Sequence, residues 1–157
     1  MVNNMNVYFK NNPKLTEPPP LDDDNSPDRS IQDTPIWDLD ELKKIALKNN
    51  GNNILIVTNK ANKNYEALLE SGFDLPSTVE AIDKKRDFKG AFWCKTSPKK
   101  DKHGKSRGLG SWIPCDSYSV NSVYEHPITG YKGLVIYYLK MCKGLDGNTV
   151  LFVSIHV

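Results

Sequence analysis

The spacing of apolar residues changes near residue 88, from a helical period to a period of two. Alternation of apolar and polar side chains is typical of a half-buried β-strand, and it predicts strands at residues 89–95, 117–125, 132–141 and 149–156. Short turns rich in Gly, Pro and Asn join the last three, so an antiparallel meander is the simplest arrangement. The last strand is predicted to point one set of side chains into the core, Leu151, Val153, Ile155 and Val157, and a second set the other way, Val150, Phe152, Ser154 and His156.

Ahead of these strands, the first helix has clear start and stop signals. Asp38 and Glu41 lie at the N-cap and N3 positions of a capping box, which supplies partners for amides that a helix start leaves unpaired. The apolar residues that follow fall on one helical face. The helix is predicted to stop at Asn49, Asn50 and Gly51, which tolerate the left-handed backbone of a helix end.

A short strand and two more helices are predicted between residues 54 and 82. Residues 54–57 are an apolar run rich in β-branched side chains, which indicates a buried strand. Asn59 or Asn62 is the candidate N-cap of a second helix that ends at Gly72, and Ser77 with Glu80 indicates the start of a third. The elements together predict an α+β fold, with N-terminal helices on one face of a C-terminal four-stranded antiparallel sheet.

The first 33 residues have the composition of a disordered leader. They contain three consecutive prolines at 18–20, three consecutive aspartates at 22–24 and few residues able to pack in a core. Residues 34–157 are predicted to form one domain around a single core. No apolar run reaches the roughly 18 residues of a membrane-spanning helix, and no secretory signal is present. We therefore expect a cytoplasmic protein, or one delivered by a non-classical route, without a membrane partner.

Basic side chains are concentrated in one segment of the chain. Between Lys84 and Arg107, ten basic residues accompany two acidic ones, a local balance of +8 in a chain of net charge +2. Such a patch usually binds phosphate or an acidic surface. The loop between the first two predicted strands is a candidate clamp for nucleic acid, and Trp112 is a candidate plane for base stacking. The clamp residues are Lys99, Lys100, Lys102, His103, Lys105 and Arg107.

The predicted meander brings a second group of residues to the opposite edge of the sheet. His126 and His156 would lie on strands separated by one other, with backbones on the order of 10 Å apart, close enough to flank a phosphate. Histidine suits proton transfer near neutral pH, so this pair is the candidate acid and base of metal-independent RNA cleavage, with Tyr131 beside it. The candidate phosphate-binding residues of this group are Arg86, Lys89 and Lys132.

Three widely spaced cysteines argue against a disulfide framework and predict buried thiols. Two functional alternatives stay open. In one, Cys94, Cys115 and Cys142 join His103 in a zinc site. In the other, a cysteine nucleophile uses a histidine base, and the candidate pairs are Cys115 with His126 and Cys94 with His103.

The C-terminal stretch 130–157 reads GYKGLVIYYLKMCKGLDGNTVLFVSIHV, a Gly-Tyr-basic start followed by two apolar strands. It resembles the terminal hairpin of RelE-like toxins, and the predicted order of helices and sheet is similar to the wider RelE, barnase and colicin-type group of ribonuclease toxins. The resemblance covers that hairpin alone. It implies an RNA substrate and an antitoxin or immunity protein as partner, with the leader binding that partner or joining the domain to a delivery module.

The sequence supports three hypotheses about function. The first is a small toxin-like domain that binds RNA and cleaves it by acid/base chemistry without a metal or other cofactor. The second is a non-enzymatic interaction module, such as an effector, inhibitor or immunity protein, whose basic loop contacts an acidic partner. The third is a cysteine-dependent transferase or protease.

Overall fold

A computed structural model describes residues 15, 18, 29–96, 99–100, 103, 106–107 and 111–157 of the chain. The helices in this part are α1 (Leu39–Leu47), α2 (Asn59–Glu70) and α3 (Leu75–Glu80), and a 3₁₀ turn (Lys48–Gly51) follows α1. The strands are β1 (Ser30–Gln32), β2 (Ile54–Ile56), β3 (Phe88–Lys95), β4 (Lys99–Lys100), β5 (Ser106–Arg107), β6 (Trp112–Glu125), β7 (Lys132–Lys143) and β8 (Val150–His156).

One six-stranded sheet organises the molecule, with strand order β1-β3-β6-β7-β8-β2. Neighbouring strands are antiparallel except β2, which runs parallel to β8. The α+β class is confirmed. The predicted four-stranded antiparallel sheet is too small, because its strands form only the centre of a mixed sheet that β1 and β2 extend at its two edges. Within the predicted basic loop, β4 and β5 form a separate two-stranded sheet.

The predicted start and stop of α1 are confirmed. The Asp38 carboxylate accepts hydrogen bonds from the amides of Asp40 and Glu41, which satisfies two donors at the helix start. After α1, Asn49 and Asn50 adopt left-handed backbone angles, with φ of 52° and 57°. Asparagine tolerates this region better than most residues, so the chain turns here toward β2.

The starts of α2 and α3 differ from the prediction. Thr58, not Asn59 or Asn62, is the N-cap of α2, because its hydroxyl accepts a hydrogen bond from the helix at 3.1 Å. The two asparagines lie inside the helix. At α3 the N-cap position belongs to Asp74, and Ser77 lies within the helix and donates its hydroxyl to the Asp74 carboxylate at 2.8 Å. In both cases an eligible polar residue lies a few positions earlier than the predicted one.

The helices cover one face of the sheet and bury the main hydrophobic core against it. Apolar side chains from α1, α3 and the connection before α3 pack on side chains of β6, β7 and β8. The largest fully buried members of this core are Leu42, Leu75, Val79, Tyr118, Leu139, Met141, Phe152 and Ile155. Burial of large apolar side chains on this scale is the main source of stability for such a domain.

The predicted orientation of β8 is wrong for most of its residues, because the strand contains a β-bulge. Ser154 pairs with Lys140, while Phe152 pairs with the next residue of β7, Met141, so Val153 is the extra residue. A bulge shifts the alternation of faces by one position. The side chains that join the helix-side core are Val150, Phe152 and Ile155, whereas Leu151 and Val153 pack in a second cluster and Val157 is exposed.

β1 lies inside the predicted disordered leader. Ser30 and Gln32 pair with β3, so ordered structure begins earlier than residue 34. Leu15 is also buried, in the second hydrophobic cluster. Apart from Leu15, Pro18 and residues 29–33, the predicted leader lies outside the described residues. Of the helices in the described part of the chain, none combines the length and apolar character that crossing a membrane requires.

Candidate functional site

The register of the sheet separates the two histidines predicted to act together. Lys132 faces Glu125 at the end of the β6–β7 hairpin, whereas His156 faces Tyr138, six residues further along β7. At the rise of about 3.3 Å per strand residue, an offset of six residues is about 20 Å along the sheet. His126 follows Glu125 and therefore lies far from His156. The reason is strand length, since β8 has 7 residues and β7 has 12, and β8 stops well short of the hairpin turn.

His126 has a local structural role at that turn. Its Nδ1 accepts hydrogen bonds from the amides of Ile128 and Thr129, at 3.2 and 3.1 Å. An accepting Nδ1 carries no proton, so neutral His126 holds its proton on Nε2. Tyr131 and Lys132 lie at the same turn, and both are exposed. The turn thus brings three of the predicted site residues together without the second histidine.

Arg86 and Lys89 lie near the middle of the sheet and do not reach the turn. Phe88, between them, pairs with Tyr118, seven residues before the end of β6. The Arg86 guanidinium makes an ion pair with the buried Asp87 carboxylate at 2.9 Å. Burial pushes the pKa of Asp87 upward, but hydrogen bonding to Arg86 and to a backbone amide outweighs it, and the pKa is lowered. Arg86 is therefore already engaged in stabilising the fold.

The predicted clamp is described only in part. Lys99 and Lys100 form β4, Arg107 belongs to β5, and His103 is an exposed residue of the turn between these strands. Lys102 and Lys105 lie outside the described residues. The proposal that this loop contacts a ligand therefore stays a prediction.

Trp112 does not offer the predicted stacking plane. Its side chain is only 1% exposed. The guanidinium of Arg29 lies over its ring at 4.9 Å from the centroid, and the ammonium of Lys95 lies at 5.8 Å. Cations over an indole face are favourable contacts, but they leave no accessible surface for a base. The prediction for Trp112 is wrong, because its place beside the basic loop does not show that its ring is buried.

The three cysteines lie on neighbouring strands and their thiols are buried. Burial, together with hydrogen bonding to Cys94 and Cys142, raises the pKa of Cys115 well above its usual range. In the described part of the chain, no three His, Cys, Asp or Glu side chains are grouped so as to hold a metal ion. The predicted zinc site with His103 is thus not assembled there.

The proposed cysteine–histidine pairs are also not assembled. Cys115 and His126 lie on and just beyond the same strand, about 35 Å apart at the rise of a β-strand. Cys94 is buried and its thiol donates to the carbonyl of Phe92, whereas His103 is exposed. Burial raises the pKa of Cys115, which makes that thiol a poor nucleophile.

The sheet face opposite the helices contains a group of side chains that we call the open face. Tyr138 and His156 stack there, with ring centroids 5.1 Å apart and an interplanar angle of 20°. The Lys140 ammonium lies 5.5 Å from the centre of the Phe92 ring. Tyr138 is 41% exposed and His156 is exposed. The open face consists of Phe92, Ser117, Ser119, Asn121, Ile136, Tyr138, Lys140, Ser154 and His156.

On the helix side, a second feature that we call the acidic cleft has a volume of about 710 Å³. It lies between the α2–α3 connection and the end of the β6–β7 hairpin. The Phe73 and Tyr137 rings, with centroids 4.6 Å apart, form part of its wall. The polar and charged side chains that line it include Glu70, Asp74, Glu125 and His126.

Of the residues in these two features, the sequence-based prediction includes only His126 and His156. One signal was available for the open face, because alternation along β7 places Ile136, Tyr138 and Lys140 on the same side. The acidic cleft has no comparable signal, since its residues come from α2, α3, β6, β7 and the connections between them. Comparison with protein-family models, with curated proteins and with solved structures finds no match for this chain.

Proposed function

We propose that this protein binds single-stranded RNA on the open face. The observation that carries the proposal is the Tyr138–His156 stack on a sheet surface that the described helices leave uncovered. Aromatic side chains on an exposed sheet are a common means of stacking unpaired bases, because every base has a π-face. A third base-sized ring, that of Phe92, lies on the same face beneath the Lys140 ammonium.

Charge and hydrogen-bonding groups on the open face support the same ligand. Lys140 lies between the two aromatic sites, where its ammonium is positioned to contact a phosphate that links two stacked nucleotides. Ser117 and Ser154 pair with Lys140 on its two neighbouring strands. Hydroxyl groups at these positions are suited to the ribose 2′-hydroxyl, which distinguishes RNA from DNA.

The proposal concerns binding rather than cleavage. Metal-independent cleavage needs an acid and a base on opposite sides of one phosphate, and the register places His126 and His156 about 20 Å apart along the sheet. The alternative of an acidic protein partner has less support. That alternative places the partner on the basic loop, of which residues 97–98, 101–102, 104–105 and 108–110 lie outside the described part of the chain, so it stays a prediction.

The direct test is fluorescence anisotropy with a short labelled oligouridylate. Tyr138→Ala should weaken binding by roughly 5- to 100-fold, since a stacked base contributes about 1–3 kcal/mol. Tyr131→Ala is the matched control, because Tyr131 is 69% exposed but lies at the hairpin turn. Lys140→Gln should reduce the slope of log Kd against log salt by about 1. Equal affinity of wild type and Tyr138→Ala would refute the proposal.

A further inference from the structure

We infer that the acidic cleft is a second binding site, specific for alkylammonium groups. The cleft lies on the helix side of the sheet, so it does not share a surface with the open face. Its volume of about 710 Å³ falls within the range of roughly 300–1,000 Å³ that is usual for small-ligand sites. The inference rests on this concave space, on its aromatic wall and on the sign of its charge.

Charge determines the class of ligand. Glu70 lies at the end of α2, Asp74 precedes α3 and Glu125 ends β6, so carboxylates line the cleft from three separate elements. No lysine or arginine is found in the described lining. The three carboxylates are exposed to solvent and grouped around one cleft, and a group of like negative charges attracts a cation and repels phosphate. The chain as a whole has a net charge of +2, so its overall charge does not attract a cation.

The aromatic wall favours an organic cation over a metal ion. The Phe73 and Tyr137 rings tilt by 42° to each other, and Tyr65 meets the edge of Phe73 at 6.3 Å. Phe73 is buried and Tyr137 is half-buried, so the wall is held by packing before any ligand arrives. Aromatic faces attract ammonium groups and also bury the alkyl chain attached to them.

The remaining polar groups leave the acceptor role to the carboxylates. His126 lines the cleft, but its Nδ1 already accepts two backbone amides, so that atom has no lone pair for a ligand. Asp74 accepts the hydroxyl of Ser77. Glu70 and Glu125 line the cleft from a helix and from a strand, and two carboxylates on separate elements suit a ligand with two separated ammonium groups.

The two sources of such a group are a free alkyl polyamine and the lysine side chains of a peptide. Isothermal titration calorimetry with spermidine and, separately, with a trilysine peptide tests both, without RNA present. We expect saturable binding of one ligand per chain for at least one of them. Binding of spermidine supports a small-molecule site, and binding of the peptide alone supports a site for a protein segment. The absence of saturable binding for both would overturn the inference.

Two variants separate a specific site from general attraction. Glu125→Gln should weaken binding by roughly tenfold, because it removes one charge-assisted hydrogen bond. Glu66→Gln is the matched control, since Glu66 is exposed on α2 one turn before Glu70 and lies outside the cleft. Equal losses in the two variants would mean that the protein attracts cations without a defined site.

The aromatic wall is tested by Tyr137→Leu, which keeps an apolar side chain but removes the π-face. A loss of roughly fivefold is expected if the ring contacts the ammonium. Unchanged affinity, or full displacement of spermidine by magnesium at equal ionic strength, would refute alkylammonium specificity. Thermal unfolding of each variant shows whether it is folded. If Tyr137→Leu is unfolded, the affinity of Glu125→Gln alone tests the cleft as the binding site. Tyr138→Ala should bind spermidine as the wild type does, whatever its effect on RNA.

Discussion

Asp116 links the segment before α1 to the centre of the sheet, and its ionisation should make stability depend on pH. The carboxylate is fully buried. Its two oxygens accept the amides of Ile36 and Trp37, each at 2.9 Å, and the Trp37 indole donates to the carbonyl of Pro114 at 2.8 Å. Burial raises the pKa of Asp116 to about 6, although the two amides act in the opposite direction.

The sign of the effect follows from proton linkage. Between pH 4 and 6 the folded protein holds a proton on Asp116 that the unfolded chain, with its ordinary value of 3.8, has released. The free energy of unfolding therefore falls as the pH rises through this range. The difference between 3.8 and about 6 corresponds to about 3 kcal/mol, which is present below pH 4 and lost above pH 6.

Asp116→Asn removes this titration, and urea unfolding followed by tryptophan fluorescence measures the result. At pH 4 the variant should be less stable than wild type, because the Asn side-chain nitrogen cannot accept a backbone amide, whereas the protonated carboxyl keeps lone pairs on both oxygens; the loss is about 1–3 kcal/mol. At pH 7 this difference should shrink or reverse, moving by about 3 kcal/mol relative to pH 4. Groups that titrate in both proteins cancel in the comparison. Asp33→Asn, at an exposed position, is the control. A difference between Asp116→Asn and wild type that is identical at the two pH values would refute the reasoning.

Further predictions concern the core, the helix cap and the thiols. Phe152→Ala should lower the free energy of unfolding by about 3–5 kcal/mol in urea titrations, because Phe152 is fully buried, while Val123→Ala at an exposed site should have little effect. Thr58→Ala should destabilise the protein by about 1 kcal/mol through loss of the α2 cap, and Lys60→Ala should not; equal effects would contradict the cap assignment. Iodoacetamide should modify the three cysteines only in urea, as judged by mass spectrometry, because all three are buried; rapid labelling of the native protein would contradict this.

The parts of the fold that were predictable are those with local causes. Asp38 bonds only to amides two and three residues away, and the Asn49–Asn50 turn depends only on the backbone of those two residues. The sequence alone therefore locates the start and the end of α1. Alternation likewise predicts the strands β3, β6, β7 and β8, because it depends only on neighbouring side chains. The parallel pairing of β2 with β8 was not predictable, since it joins distant segments and leaves no local pattern.

The candidate sites were less predictable because small errors in register move side chains over large distances. The bulge at Val153 exchanges the two faces of β8 for the residues that precede Ser154, and the short length of β8 separates His156 from His126. Each is a difference of a few residues, yet the first reverses which side chains face the helices and the second moves a predicted catalytic group by about 20 Å. Site prediction from strand order therefore needs the strand ends, which periodicity does not supply.

Tyr137 and Tyr138 give the two proposals a common test, because consecutive strand residues point to opposite faces. Tyr137 lies in the wall of the acidic cleft, and Tyr138 stacks on His156 in the open face. Tyr137→Leu should weaken spermidine binding and leave RNA affinity unchanged, whereas Tyr138→Ala should do the reverse. The two ligands carry opposite charge, so a general change in electrostatics would shift their affinities in opposite directions in one variant. A variant that weakens both ligands equally would indicate a loss of folded protein, and neither site would then be supported by that measurement.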